Sequence, residues 1–146
     1  MKFCLKFVVL IILYLPIARA EQSMSVSIYY EATRDIQLTF SEQSLLSDIV
    51  KSYSVDSDIE KYLSTGSGLN WESFSFYENP EGEAVILQGS TKLPNNSNDA
   101  TWIGIQHWCK LLSELRRCLP NAKWAVSVED HEIYWDSVSK EYDPAK

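Results

Sequence analysis

Residues 101–128, TWIGIQHWCKLLSELRRCLPNAKWAVSV, determine the architecture, because their hydrophobic period changes from that of a helix to that of a strand. Over 101–118 the apolar side chains recur every three or four positions, which predicts an amphipathic helix that ends before Pro120. Its stripe contains Ile105, Trp108, Leu112, Leu115 and Leu119. Over 123–128 every second side chain is apolar, which predicts a half-buried strand.

Upstream segments carry similar signals. Residues 25–30 alternate between apolar and polar side chains and predict another half-buried strand. Thr39 and Glu42 form a capping-box pattern, which predicts the start of a helix. Five apolar residues recur at helical spacing after it, namely Leu45, Leu46, Ile49, Val50 and Tyr53. Residues 58–63 predict a short second helical piece that stops at Gly66.

The middle and the end of the chain complete the pattern. Residues 71–77 and 84–87 flank the turn sequence Asn-Pro-Glu-Gly at 79–82, so we expect a β-hairpin. Residues 133–135 predict a short partner strand for 123–128. Residues 137–146 include a proline and predict a tail without regular structure.

These elements follow the order βαββαβ, which is typical of an α+β fold. We expect an antiparallel sheet with two main helices on one face. The sequence shows no internal repeat and no linker, so residues 21–146 are predicted to form a single domain with a short C-terminal tail.

Residues 1–20 have the composition of a secretory signal peptide. Lysines near the start are followed by an apolar run over 7–15 and by Ala-Arg-Ala at 18–20, so cleavage is expected after Ala20. The run is shorter than the roughly 20 residues of a membrane span, and no later stretch approaches one. The predicted location is periplasmic or secreted, or cytoplasmic if Met24 is the true start.

The predicted mature chain is strongly acidic. The formal charge of the whole chain is −7, and subtracting Lys2, Lys6 and Arg19 leaves −10. Binding to nucleic acid needs clustered Lys and Arg to neutralise phosphates, so this composition argues against nucleic acid as a partner. It favours a cationic protein partner, or simple solubility.

Cys109 and Cys118 are the cysteines of the mature chain. On one helix, nine residues separate them by about 13.5 Å along the axis, whereas bridged Cα atoms lie within about 7 Å. We therefore favour two unpaired, packed thiols. A disulfide would require the helix to break before Cys118.

His131 lies in the polar run Glu-Asp-His-Glu at 129–132, with Asp136 following. An imidazole near carboxylates could bind a metal or act in acid–base catalysis. The spacing matches no established ligand pattern, and neighbours on a strand point to opposite sides. We therefore assign no catalytic residue, metal or cofactor. The alternative is a small periplasmic hydrolase or metal-binding protein that uses His131 with Glu129 or Asp136.

Two acidic regions with aromatic neighbours are candidate partner-binding surfaces, because aromatic side chains beside carboxylates suit a basic protein patch. The 129–136 region contains Glu129, Asp130, Glu132, Tyr134, Trp135 and Asp136. The 56–60 region contains Asp56, Asp58 and Glu60, with Tyr53 and Tyr62 alongside.

The mature chain resembles the small acidic immunity proteins that bacteria make against secreted antibacterial toxins. The likeness covers size, acidity, α+β pattern and aromatic content, and the segment from GSTKLP at 89–94 through Trp108 to Trp135 and Asp136. Such proteins typically bind the active cleft of the toxin. With export, the resemblance implies a toxin that acts in the periplasm, such as a peptidoglycan hydrolase or a membrane-active effector.

The leading hypothesis is therefore an exported inhibitor that occludes a cationic toxin or cell-wall hydrolase. Its carboxylates would steer association, and its Tyr or Trp side chains would anchor the partner. A structural envelope protein without an enzyme target is a third hypothesis, which evenly dispersed acidic residues would favour.

Overall fold

A computed structural model describes residues 25–146. The predicted signal peptide and the alternative start at Met24 lie outside the described residues. The helices are α1 (Phe40–Ser52), α2 (Asp56–Thr65) and α3 (Ala100–Cys118). The strands are β1 (Ser27–Thr33), β2 (Val85–Lys92), β3 (Lys123–Val128), β4 (His131–Glu132), β5 (Tyr134–Asp136) and β6 (Glu141–Asp143).

The main sheet has the strand order β2-β1-β3-β4, and every neighbouring pair is antiparallel. Alternate residues of the central strand β1 are buried, namely Ile28, Tyr30 and Ala32. Tyr30 lies between Gly89 of β2 and Val126 of β3 in the register. This confirms the predicted α+β class, with an antiparallel sheet and helices on one of its faces.

Helix α3 supplies the centre of the core. Trp108, Leu111, Leu112 and Leu115 are at most 1% exposed, which confirms the helical stripe. The helix runs without a break to Cys118, and both Cys109 and Cys118 are free thiols. Burial raises the pKa of the Cys109 thiol to about 12, so this side chain is a packing group rather than a nucleophile.

Helix α1 begins with the predicted capping box, in which Thr39 and Glu42 cap each other's backbone N–H groups. Arg34 donates two hydrogen bonds of 2.8 Å to the Glu42 carboxylate and, with the Thr39 amide, lowers the pKa of that carboxyl to about 2. Leu46 is buried, but Leu45 is 49% exposed. The predicted apolar stripe of α1 is therefore wider than the buried one, because only the side of the helix that faces the core is shielded from solvent.

The prediction of a strand over 71–77 is wrong. This segment has no regular secondary structure and makes one backbone hydrogen bond to β2, from Tyr77 N to Gln88 O at 2.7 Å. The Ser75 carbonyl instead accepts a hydrogen bond of 2.5 Å from the Tyr30 hydroxyl, which comes from the core face of the sheet. Because a side chain takes the place of a ladder bond, no regular pairing forms here.

Two predictions near the end of the chain are also wrong. The partner of β3 is His131–Glu132, not 133–135, and β5 pairs instead with β6. The 137–146 segment contains β6, so it is not an unstructured tail. Tyr142 explains the difference, because this aromatic ring is 94% buried against α3 and folds the segment back.

Among residues 25–146, no helix combines the length and the hydrophobicity that a membrane crossing would require.

Candidate functional site: an aromatic crevice beside the acidic edge

A crevice of about 390 Å³ separates the β3–β4 edge of the main sheet from the β5–β6 hairpin. We refer to it as the aromatic crevice. Its polar and aromatic lining comes from four of these strands and from α3, namely Arg116, Trp124, Glu132, Tyr134, Trp135 and Tyr142. Arg116 and Glu132 carry opposite charges, and the other four side chains are aromatic. The crevice is therefore a polar recess with aromatic walls.

Arg116 is held in the crevice by aromatic stacking. Its guanidinium carbon lies 4.1 Å from the centre of the Trp135 ring and 5.6 Å from that of Tyr142. One guanidinium nitrogen donates a hydrogen bond of 3.1 Å to the Tyr142 hydroxyl. Among residues 25–146, no carboxylate forms an ion pair with Arg116. The crevice therefore contains a positive charge that is held by aromatic stacking, with the Glu132 carboxylate elsewhere in the same lining.

Trp124 forms another wall. Its side chain is on the core-facing side of β3, and the residue is 7% exposed. Its indole N–H is buried and has no hydrogen-bond partner among the described residues. A buried donor without an acceptor costs free energy, about 1–3 kcal/mol.

Tyr142 anchors the hairpin side of the crevice. The Tyr142 backbone N–H donates to the Ser113 hydroxyl at 2.9 Å, and that hydroxyl donates to the Cys109 carbonyl at 2.6 Å. Burial raises the pKa of the Tyr142 phenol, although the hydrogen bond from Arg116 opposes this shift. The phenol is therefore protonated at neutral pH. Its oxygen accepts from Arg116, which leaves its own hydrogen free to donate.

Comparisons with protein-family models, with curated proteins and with solved structures found no match.

The 129–136 region divides into exposed side chains and side chains with structural contacts. Asp130, Glu132 and Tyr134 are exposed, and Tyr134 remains 47% accessible. The Glu129 carboxylate accepts a hydrogen bond of 2.9 Å from the Ser27 backbone. Asp136 and Trp135 make contacts within the β5–β6 hairpin and with Arg116.

Asp136 shapes the turn of the β5–β6 hairpin. Its Oδ1 accepts hydrogen bonds from the backbone N–H groups of Val138, at 2.9 Å, and Ser139, at 3.2 Å. These bonds lower the pKa of the Asp136 carboxyl. Trp135 packs under Arg116, with its ring centre 4.9 Å from that of Tyr142. Both residues position the crevice rather than project from it.

The 56–60 region lies elsewhere on the surface, at the start of α2. Asp56 accepts a hydrogen bond of 3.0 Å from the Ser73 hydroxyl, and Asp58 is exposed. Tyr53 contacts His107, in the first half of α3, whereas the β5–β6 hairpin packs on Ser113 and Arg116 in the second half. The two predicted regions are therefore separate surfaces.

His131 is exposed on the two-residue strand β4. Its suggested partners Glu129 and Asp136 both direct a carboxylate oxygen to backbone amides. Within residues 25–146, no group of three or more His, Cys, Asp or Glu side chains could hold a metal ion. The structure therefore gives the metal hypothesis no support within these residues.

Sequence reasoning placed Glu132, Tyr134 and Trp135 in a candidate site but missed Arg116, Trp124 and Tyr142. In the sequence, Trp124 is an apolar position of the alternating segment 123–128, and Arg116 lies outside the apolar stripe of 101–118. One feature of the sequence indicates a role for Arg116. It lies on the last turn of α3, next to the buried stripe. Tyr142 lay in the predicted tail, so no pattern connected it with α3.

Proposed function

We propose that this chain is an exported acidic binding protein, an immunity protein or inhibitor that occludes a cationic toxin or cell-wall hydrolase. The exposed edge formed by Asp130, Glu132 and Tyr134 is the proposed contact surface. Two carboxylates attract a basic partner, and the neighbouring phenol ring supplies an anchor that loses little conformational entropy.

The observation that carries this proposal is the excess of acidic side chains, since residues 25–146 hold 19 Asp and Glu against 10 Lys and Arg. Among residues 25–146, Glu42 is the one carboxylate in an ion pair. The negative potential of the other acidic side chains therefore extends into solvent, where it accelerates encounter with a cationic protein.

The turn at the contact edge is also attached to β1. Glu129 and Asp130 form the turn between β3 and β4, and the Glu129 backbone N–H donates to the Ser27 carbonyl at 3.3 Å. The Glu129 side chain accepts from the same residue. This double attachment to β1 fixes the turn, so binding would order few additional groups.

The first prediction concerns the rate of association with purified cationic peptidoglycan hydrolases. Raising the salt from 0.01 M to 1 M shortens the Debye length from about 30 Å to about 3 Å. We expect the association rate constant, measured by stopped-flow or surface plasmon resonance, to fall about tenfold or more. The double variant Asp130→Lys/Glu132→Lys should show a similar loss at low salt.

The matched control is Asp56→Lys/Asp58→Lys, which changes the net charge equally at the 56–60 region. We expect it to slow association by less than about threefold, since electrostatic steering is strongest at the contact surface. Equal losses in the two double variants would show that net charge alone matters and would remove the 129–136 region from the proposal. Failure of every cationic hydrolase to bind would favour the structural-protein hypothesis.

The second prediction concerns export and cleavage of the signal peptide after Ala20. Expression of the full chain in a Gram-negative host should give a periplasmic product whose mass corresponds to residues 21–146. Ala18→Arg/Ala20→Arg should block this cleavage, because signal peptidase sites need small side chains. An uncleaved product in the cytoplasmic fraction would contradict the proposal and favour a start at Met24.

A further inference from the structure

We infer that a recess on the helix-free face of the main sheet, lined by Tyr29, Glu31 and Tyr77, binds a lysine side chain of a basic protein. We refer to it as the tyrosine recess. The inference rests on the proposed function only for the source of that lysine, because the chemistry of the recess selects an ammonium group by itself.

The tyrosine recess lies on the side of the sheet opposite the helices. Ile28, Tyr30 and Ala32 of β1 are buried in the core. Side chains alternate along a strand, so Tyr29 and Glu31 are on the uncovered face. The volume of the recess is about 240 Å³, below the range of about 300–1,000 Å³ that is typical of small-molecule pockets. This size suits one side chain rather than a whole ligand.

Register and hydrogen bonding bring the two tyrosines to the same recess. Ser90 lies directly opposite Tyr29 in the β1–β2 pair, and the hydroxyl groups of Ser90 and Tyr77 are 2.7 Å apart. Tyr29 is 43% exposed and Tyr77 is 47% exposed, so both rings are within reach of a partner. On the other side of β1 the lining residues of β3 are small, namely Ala125 and Ser127.

Glu31 supplies the charge of the recess. Its Oε2 accepts a hydrogen bond of 3.1 Å from Gln88, which orients the carboxylate and leaves lone pairs for a further donor. No basic residue lines the recess, and among residues 25–146 no base forms an ion pair with Glu31. Lys92 and Lys123 lie opposite the two ends of β1, outside the lining. The recess is therefore a negatively charged site that a cation complements.

A lysine side chain matches this combination of groups. The face of an aromatic ring attracts a cation, and within residues 25–146 no cation lies over the ring of Tyr29 or Tyr77. An ammonium group gains from both rings and from the Glu31 carboxylate, while its four-carbon stem packs on the ring surfaces. An arginine fork prefers both oxygens of a carboxylate, and Gln88 already binds one oxygen of Glu31.

The tyrosine recess is also continuous with the proposed contact edge. Strand β4 follows β3 in the sheet, and Glu132 of β4 lies directly opposite Ser127, which lines the recess. A basic protein that docks on Asp130, Glu132 and Tyr134 can therefore reach the recess with one lysine.

The probe for the test is Nα-acetyl-lysine methylamide, whose one charge is the ammonium group. Nα-acetyl-norleucine methylamide is its uncharged counterpart, and both are titrated into the purified protein at constant ionic strength. In ¹⁵N-correlated NMR spectra we expect the lysine compound to shift the backbone amide signals of Glu31, Ala125 and Ser127. The norleucine compound should shift them far less, and the corresponding arginine compound should bind more weakly than the lysine compound.

Glu31→Gln should weaken binding of the lysine compound about fivefold or more, because the charged partner is lost. Tyr29→Leu should weaken it about threefold, because one ring face is lost, and this variant decides if Glu31→Gln does not fold. The matched control is Glu60→Gln, which removes an exposed carboxylate of the 56–60 region and should stay within about twofold of the original. Unmoved recess signals, an equal response to the norleucine compound, tighter binding of the arginine compound, or unchanged affinity in the folded variants would overturn the inference.

Failure of the proposed function gives a different result. In that case no cationic hydrolase binds, while the lysine compound still shifts the recess signals. Conversely, a hydrolase that binds the original protein and Glu31→Gln with equal affinity would overturn the lysine site and leave the contact edge in place.

Discussion

Replacing Gly89 with alanine is expected to destabilise the fold by about 2–4 kcal/mol. A Cβ atom at Gly89 would lie 2.4 Å from the Ser75 carbonyl oxygen and 2.5 Å from the Tyr30 ring. Both neighbours are fixed, because the Tyr30 hydroxyl bonds to Ser75 and, at 2.9 Å, to Thr91. The alanine variant must move the ring or the 71–77 segment and so disrupt these buried hydrogen bonds.

Urea unfolding followed by tryptophan fluorescence measures this loss. Ser90→Ala is the matched control, since Ser90 is the next residue of β2 and its side-chain hydroxyl bonds to that of the exposed Tyr77, at 2.7 Å. Its expected cost is below about 1 kcal/mol. A similar small cost for Gly89→Ala would mean that the 71–77 segment yields easily and does not form part of the folded core.

The fold could be predicted where the local signal and the tertiary contacts agree. The capping box of Thr39 and Glu42 is specified within four residues, and the α3 stripe needs only the helical period. The 71–77 segment has strand periodicity as well, and it buries Phe74 as that pattern predicts. Its pairing failed because the Tyr30 hydroxyl, 45 residues away in sequence, binds the Ser75 carbonyl. No local pattern contains that contact.

The candidate site was less predictable than the fold, because composition does not reveal which groups are already engaged. Asp136 and Glu129 look like free surface acids in the sequence, but their oxygens accept from backbone amides. Arg116 looks like an ordinary surface base, but stacking places it over Trp135. The crevice is formed by packing between α3, β3 and the hairpin, and these elements meet only after folding.

Tyr142→Ala is expected to have the second large effect, a loss of about 3–5 kcal/mol in the free energy of unfolding. Tyr142 is 6% exposed and joins the β5–β6 hairpin to α3 through ring packing and the bond from Arg116. Truncation removes the buried ring and leaves the guanidinium supported by Trp135 alone. We expect the hairpin to open before the rest of the fold unfolds, because without the buried ring it is held to α3 by the stacking of Arg116 on Trp135 and by two hydrogen bonds, from the backbone N–H of residue 142 to Ser113 and from Arg117 to the Lys140 carbonyl.

Hydrogen exchange measured by mass spectrometry distinguishes this local opening from a uniform loss. In Tyr142→Ala the peptides that cover 134–146 should exchange much faster, while those that cover β1 and the middle of α3 retain more protection. Tyr134→Ala removes an aromatic ring from the same hairpin, but one that is 47% exposed, so its cost should be below about 1 kcal/mol. If both variants gave the same small change, Tyr142 would not be the anchor.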